Sequence, residues 1–268
     1  MTGTGTGTGG ARPAATSAAD IRRLAAAAAT TADLDALVSH CRACPRLVEW
    51  REAVASRRAL PRAAYTGETY WGRPVPSWGP ADARIVVVGL APAAHGGNRT
   101  GRIFTGDRSG DWLFLALHEA GLAALPTSRS LDDGQALLGT RVVAAVHCAP
   151  PANRPTPQER DACAGWLERD FALLRASLRV VVALGGFGWA AMWPALSAAG
   201  HPGPRPRPPF RHGAEVTLDS GLHLLGCYHP SQQNTFTGRL TPAMLVAVFS
   251  RAAALAAAPR ADAPLTSG

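Results

Sequence analysis

The sequence predicts an α/β fold built on a parallel sheet, and three observations predict it. Four short apolar runs recur along the chain: Arg84–Leu90, Arg141–His147, Arg179–Leu184 and Leu222–Tyr228. Three lack period-two alternation and the last alternates only loosely, which is the pattern of strands buried on both faces. Helix signals fill the intervals, and strand, loop, helix in repetition is the α/β signature. Small and polar residues then follow directly after three of the four runs, where an open parallel sheet has its crevice beyond the strands' carboxyl ends.

Residues 1–15 open with a Gly/Thr alternation and are expected to form a disordered tail. Ala18 to Cys41 is rich in Ala and Leu and reads as one or two short helices. Arg42 to Pro80 mixes Arg, Trp, Gly and Pro and reads as mostly irregular. Ser109–Gly121 is a helix apolar on one face. Thr156–Leu178 opens with Thr156, Pro157 and Glu159; a Thr cap, Pro in the first turn and Glu three residues after the cap satisfy the free backbone amides reciprocally. Gly186–Ala199 is a third helix, and Thr241–Ala258 repeats the Thr-Pro opening and closes the fold. Arg205–Arg211 is a Pro-rich connector. These elements predict a single domain over 16–258 and a loose tail over 259–268.

A chain of 268 residues with 47% apolar content can bury a full core. No apolar run approaches the ~20 residues of a membrane helix. The start lacks a basic region followed by an apolar one, so no secretory signal is read and the cytoplasm is the expected compartment. Lys and Arg number 27 against 19 Asp and Glu, a net charge of +8. The basic residues are Arg rather than Lys. Arg bonds phosphate bidentately and a basic field steers polyanions, but a solvated Arg-rich surface explains the charge equally well.

Asp107 stands just ahead of a helix start, after the segment that follows the first run; a helix cap and a functional carboxylate are both open there. Asn153 follows the second run in a Pro-rich turn. A turn residue is the ordinary reading, but an amide at a strand's carboxyl end can also donate to and accept from the imide edge of a pyrimidine. His229 follows the fourth run and is held by Pro230. The polar loop beyond it carries Phe236 and Arg239, and Phe236 could wedge into a duplex or anchor the loop. Among the five cysteines, Cys41 and Cys44 form a C-x2-C pair, while Cys148 and Cys163 lie 15 positions apart. A cytoplasmic compartment argues against a disulfide frame. Four thiolates suit zinc or a 4Fe–4S cluster. The wide second pair is unlike a compact zinc ribbon and tilts the reading towards the cluster. Cys227 reads as core.

Taken together, Gly89–Asp107 (GLAPAAHGGNRTGRIFTGD), Cys148–Glu159 (CAPPANRPTPQE), His229–Thr241 (HPSQQNTFTGRLT) and Cys41–Leu47 (CRACPRL) resemble the iron–sulfur uracil-DNA glycosylases of family 5, the type-B enzymes. The resemblance runs from about Cys41 to Ala258. It implies a three-layer α/β/α domain with a central four-stranded parallel sheet. It implies a structural 4Fe–4S cluster on Cys41, Cys44, Cys148 and Cys163. The implied activity is monofunctional hydrolysis of the N-glycosidic bond of uracil, hypoxanthine, xanthine or ethenocytosine in DNA, leaving an abasic site. Better-known relatives carry a polar or acidic water-positioning residue near the position of Ala91. The type-B motif is apolar there, which leaves Asp107 as the carboxylate of the matched motifs placed to supply that function.

The implied roles follow. The damaged base leaves the stack of single- or double-stranded DNA. Phe104 stacks on it beside Ala91, Asn153 bonds its polar edge, and His229 stabilises charge on its carbonyl oxygen. Asp107 holds the attacking water. Arg99, Arg102, Arg154 and Arg239 bind the phosphates. The expected enzyme is a monomer, associated with the nucleoid during repair. The rival reading is a non-catalytic nucleic-acid-binding protein with a four-Cys zinc site. An unrelated α/β hydrolase is disfavoured because G-x-S-x-G is absent, and a radical enzyme because the C-x3-C-x2-C spacing is missing.

Overall fold

The computed structural model describes residues 13–259. Two helices open the described chain, α1 (Ala18–Ala27) and α2 (Thr31–Val38), each capped by a hydroxyl, Ser17 and Thr30. Helix α3 (Pro45–Ala55) follows, with Pro45 at its first position. It lies inside the segment expected to be irregular. Its buried face is Leu47, Val48, Arg51 and Val54, so the charge at Arg51 and the polar residues between obscure the apolar period.

Strand β1 (Ile85–Gly89) leads into the short helix α4 (Gly97–Thr100) and then α5 (Arg108–Glu119). Strand β2 (Thr140–Ala144) leads to α6 (Pro157–Leu174), where Thr156 and Glu159 form the expected capping box. Strand β3 (Val180–Leu184) runs directly into α7 (Gly185–Ala198). Strands β4 (Glu215–Thr217) and β5 (His223–Cys227) precede the one-turn helix α8 (Gln232–Phe236) and α9 (Pro242–Ala257), which Thr241 caps.

The sheet order is β2-β1-β3-β5-β4. The four apolar runs form its four parallel strands. The fifth strand corrects the four-stranded expectation: β4 pairs antiparallel with β5 at the edge. It has three residues and no fully buried side chain, so it leaves no apolar run to read. Ile85, Val87, Val142, Val180 and Val182 face a core closed by α5 and α9 through Leu113, Phe114, Leu245 and Phe249. Val86, Val88, Val143 and Val181 face the opposite core, closed by α6 and α7 through Phe171, Trp189, Met192 and Trp193. Each fully buried aliphatic or aromatic side chain contributes roughly 1.5–3 kcal/mol, so these two layers carry the fold.

At the strands' amino ends Arg141 is fully buried between carboxylates. It bonds Asp170 at 2.8 Å and Asp35 bidentately at 2.7 Å, which ties α6 and α2 to β2. The loose segments expected at 1–15 and 259–268 lie mostly outside the described residues. At the inner edge of the first, Ala15 is fully buried and its carbonyl accepts the amide of Arg42 at 2.8 Å. Among the described residues no helix is long and apolar enough to cross a membrane.

Candidate active site

A cleft of about 520 Å³ opens at the carboxyl edge of the sheet, lined by Leu90, Ala91, Phe104, Asp107, Asn153 and His229 among others. Each arrives by a different element. Leu90 and Ala91 leave β1, Asp107 is the N-cap of α5, Asn153 follows β2, and His229 leaves β5. Ala93, Asp107, Arg108, Ala152, Asn153 and Gln232 also line an adjoining cleft of about 800 Å³.

Asp107 is the helix cap and also lines the cleft. Its Oδ1 accepts the amide of Gly110 at 2.9 Å as the helix cap, while Oδ2 lies over Gly96 on the cleft wall. Burial raises its carboxyl above the usual range, against the bonds from Gly110 and Ser109 that lower it. Burial also pushes His229 down to about 4, so its imidazole is neutral at physiological pH. The carbonyl of His229 accepts Asn234 Nδ2 at 2.8 Å, which fixes the strand exit. The rings of Phe104 and His229 lie 5.7 Å apart, tilted by 37°.

Backbone strain gathers here. Phe104, Ala152 and Asn153 have φ of 54°, 51° and 53°, a region uncommon for side-chain-bearing residues and held only where surroundings dictate it. The Phe104 ring reaches its place because Gly89 has no side chain: a Cβ there would stand 2.8 Å from the ring.

The arginines divide. Arg154 is exposed and lines the smaller cleft. Arg239 is exposed over the Tyr228 ring at 4.5 Å, outside the lining of both clefts. Arg102 is removed from the expected phosphate contacts: it is 5% exposed, and its Nη2 bonds Asp133 at 2.6 Å and Ser128 at 2.7 Å. Arg99 lines the larger cleft, but its guanidinium is engaged by the carbonyls of His95 and Gly106 and by Glu68. Arg62, Arg108 and Arg129, absent from the sequence reading, are exposed around the larger cleft beside Trp50 and Tyr65. Arg108, directly after Asp107, was the one of these that adjacency could have found.

A second locus lies across α3 and α6. Cys41, Cys44, Cys148 and Cys163 all line one small pocket with Leu47, Val48 and Trp166. None of the five cysteines is in a disulfide, and burial raises each of these four thiols. Among the described residues no group of three or more His, Cys, Asp or Glu side chains is arranged to hold a metal ion. Cys227 is fully buried in β5, a core residue.

Residues 76–253 match the family described as the uracil DNA glycosylase superfamily. The chain is 54% identical over 233 residues to the type-5 uracil-DNA glycosylase of Mycobacterium tuberculosis (strain CDC 1551 / Oshkosh), spanning 87% of this chain and 84% of that protein. It is 52% identical over 218 residues to the type-5 enzyme of Thermus thermophilus, spanning 81% and 94% of the two chains. For the type-5 enzyme of Pyrobaculum aerophilum the identity is 47% over 215 residues, spanning 80% and 88%.

Proposed function

The chain belongs to the uracil DNA glycosylase superfamily, and from that membership we propose that it is a repair hydrolase that excises uracil from DNA and leaves an abasic site. The observation that carries the reading is the convergence of Asp107, Asn153, His229 and Phe104 on one cleft. The flipped base stacks on Phe104 and its polar edge bonds the Asn153 amide. The neutral imidazole of His229 donates to the carbonyl oxygen on which charge grows as the C1′–N bond breaks. The base departs with the bonding electron pair. Asp107 orients a water at C1′, offsets the positive charge on the sugar and takes the water's proton as its oxygen bonds C1′.

The apolar wall of Leu90, Ala91 and Ala93 makes few polar demands on the base. That supports a broader range covering hypoxanthine, xanthine and ethenocytosine. DNA is the partner, its phosphates held by Arg154 and by Arg62, Arg108 and Arg129 around the mouth, with Arg239 beside it. Such an enzyme works at the nucleoid in the cytoplasm.

Cys41, Cys44, Cys148 and Cys163 would hold a 4Fe–4S cluster. The donor set is chemically suited: four soft sulfurs line one apolar pocket, and thiolates are the ligands of such clusters. The cluster would act structurally, joining α3, the exit of β2 and α6. The reading is tested by incubating the pure protein with oligonucleotides carrying each base and then cleaving abasic sites with alkali. Release of uracil by the wild type, and its loss in Asp107→Asn and His229→Ala, is expected. An inactive wild type, or full activity in both variants, overturns it.

A further inference from the structure

The pocket of four thiols has a buried charge beside it that no carboxylate neutralises internally. Arg51 is 1% exposed on α3, one turn beyond Leu47 and Val48, which line that pocket. Residues three and four apart share a helix face, so Arg51 lies on the face that closes over the thiols. Its Nε and Nη1 have no hydrogen-bond partner. Its Nη2 makes one long bond, 3.4 Å, to the carbonyl of Cys41. The nearest carboxylate is Glu52 at 3.6 Å, but that group is exposed and already bonds Arg42 at 2.6 Å.

The other buried arginines differ. Arg141 is bonded by Asp35 and Asp170, and Arg102 by Asp133. An ionised group taken out of water without such compensation costs several kcal/mol, so a missing partner is expected where Arg51 sits. The charged and ionisable groups around it are Cys148, Glu52, Arg42 and Cys41. Neutral thiols would supply no compensating charge. Four thiolates around an iron–sulfur core carry net negative charge. A further donor at the same pocket, His147 Nε2, is also buried without a partner.

We infer that Arg51 is the internal counter-cation of the four-thiolate centre. The inference rests on the cluster reading above. Arg51 is a positioning residue: it touches neither base nor sugar. Its carbonyl accepts Asn98 Nδ2 at 3.2 Å, so the helix that carries the charge is also fastened to α4, whose Arg99 lines the larger cleft.

The test uses the protein as isolated, compared with Arg51→Met, which keeps bulk without charge, and Arg51→Lys, which keeps charge without the fork. Iron and acid-labile sulfide per chain, the rate at which air bleaches the visible absorbance, and the reduction potential are measured. Arg51→Met should bleach about tenfold faster, the scale of outer-shell effects at metal centres. Its potential should be lower, since removing a cation disfavours the added electron. Arg51→Lys should restore both towards wild type. A folded Arg51→Met with wild-type iron, bleaching rate and potential overturns the inference. If Arg51→Met does not fold, Arg51→Lys decides: folded protein with near-wild-type iron and potential upholds the counter-charge, and folded protein lacking iron overturns it. A wild type without iron or sulfide overturns the cluster reading and Arg51's part in it together, whereas normal iron with an indifferent Arg51 overturns only the latter.

Discussion

A Cβ built on Gly96 would stand 1.9 Å from Oδ2 of Asp107, so the carboxylate rests directly on the bare backbone of the loop that follows β1. The loop and the first turn of α5 thus fix one carboxylate between them. Gly96→Ala should push that carboxylate out of place while the cap acceptor, Oδ1, can still reach Gly110. Displacing one positioned charge typically costs ~3 kcal/mol, or about a hundredfold in rate. Uracil release should fall by that much with DNA affinity retained. Turnover within a few-fold of wild type would mean that Asp107 does not act from this position.

The pH profile follows from the two burial effects. Asp107 works ionised and its carboxyl is raised by burial, so kcat/KM should fall on the acid side at a pH above the ordinary carboxylate range near ~4. His229, lowered to about 4, adds no limb near the usual ~6.5. Steady-state rates measured across the neutral and acid range should therefore show one acid limb, flattened in Asp107→Asn. A limb at the ordinary histidine position that persists in Asp107→Asn would assign the titration to another group.

The same carboxylate should cost stability. An acid whose folded pKa is raised binds its proton more tightly in the folded state. Its contribution is fully present below the unfolded pKa and is lost as pH rises through the folded one. Asp107→Asn keeps an oxygen to cap Gly110 and never ionises. It should melt at or above the wild-type temperature at pH 8, with the difference shrinking towards pH 4, while activity is lost; active sites commonly trade stability for function in this way. Melting curves showing the variant several degrees less stable at pH 8 would contradict a carboxylate held at a cost.

Much of this was legible in the sequence because the signals were local. Four strands buried on both faces leave four apolar runs, and the capping chemistry of Thr156 with Glu159 marks a helix start unambiguously. Asn153 and His229 stood out because each follows a strand end, and Asp107 because it stands just ahead of a helix start. What the sequence hid was long-range. Arg102 sits in a motif beside the cleft, and nothing nearby in the chain announces that its partner is Asp133, 31 positions on. Helix α3 hid because its buried face includes a charged residue, and the thiols that face it at Cys148 and Cys163 are far from it in the chain. The left-handed backbone at Phe104, Ala152 and Asn153 leaves no compositional mark, since none is glycine.

The division among the arginines separates binding from folding. Arg62, Arg108 and Arg129 are exposed around the cleft mouth, and removing one bond to phosphate should reduce the salt dependence of DNA binding by about one. Arg62→Ala and Arg108→Ala should therefore weaken binding to uracil-containing and undamaged DNA alike, with a shallower slope of log affinity against log salt. Arg102→Ala should leave the slope unchanged. Its carboxylate partner, Asp133, is held at about 2 because Arg102 and the amides of Arg129, Gln135 and Ser130 outweigh the cost of partial burial. Removing the guanidinium strands that charge, and breaking a buried pair costs about 3 kcal/mol, visible as a lower unfolding midpoint. Anisotropy titrations over a range of salt, paired with denaturant unfolding, distinguish the two classes. If Arg102→Ala lowered the salt slope and spared stability, the guanidinium would have to reach phosphate after all, and the buried pair with Asp133 would have to open when DNA binds.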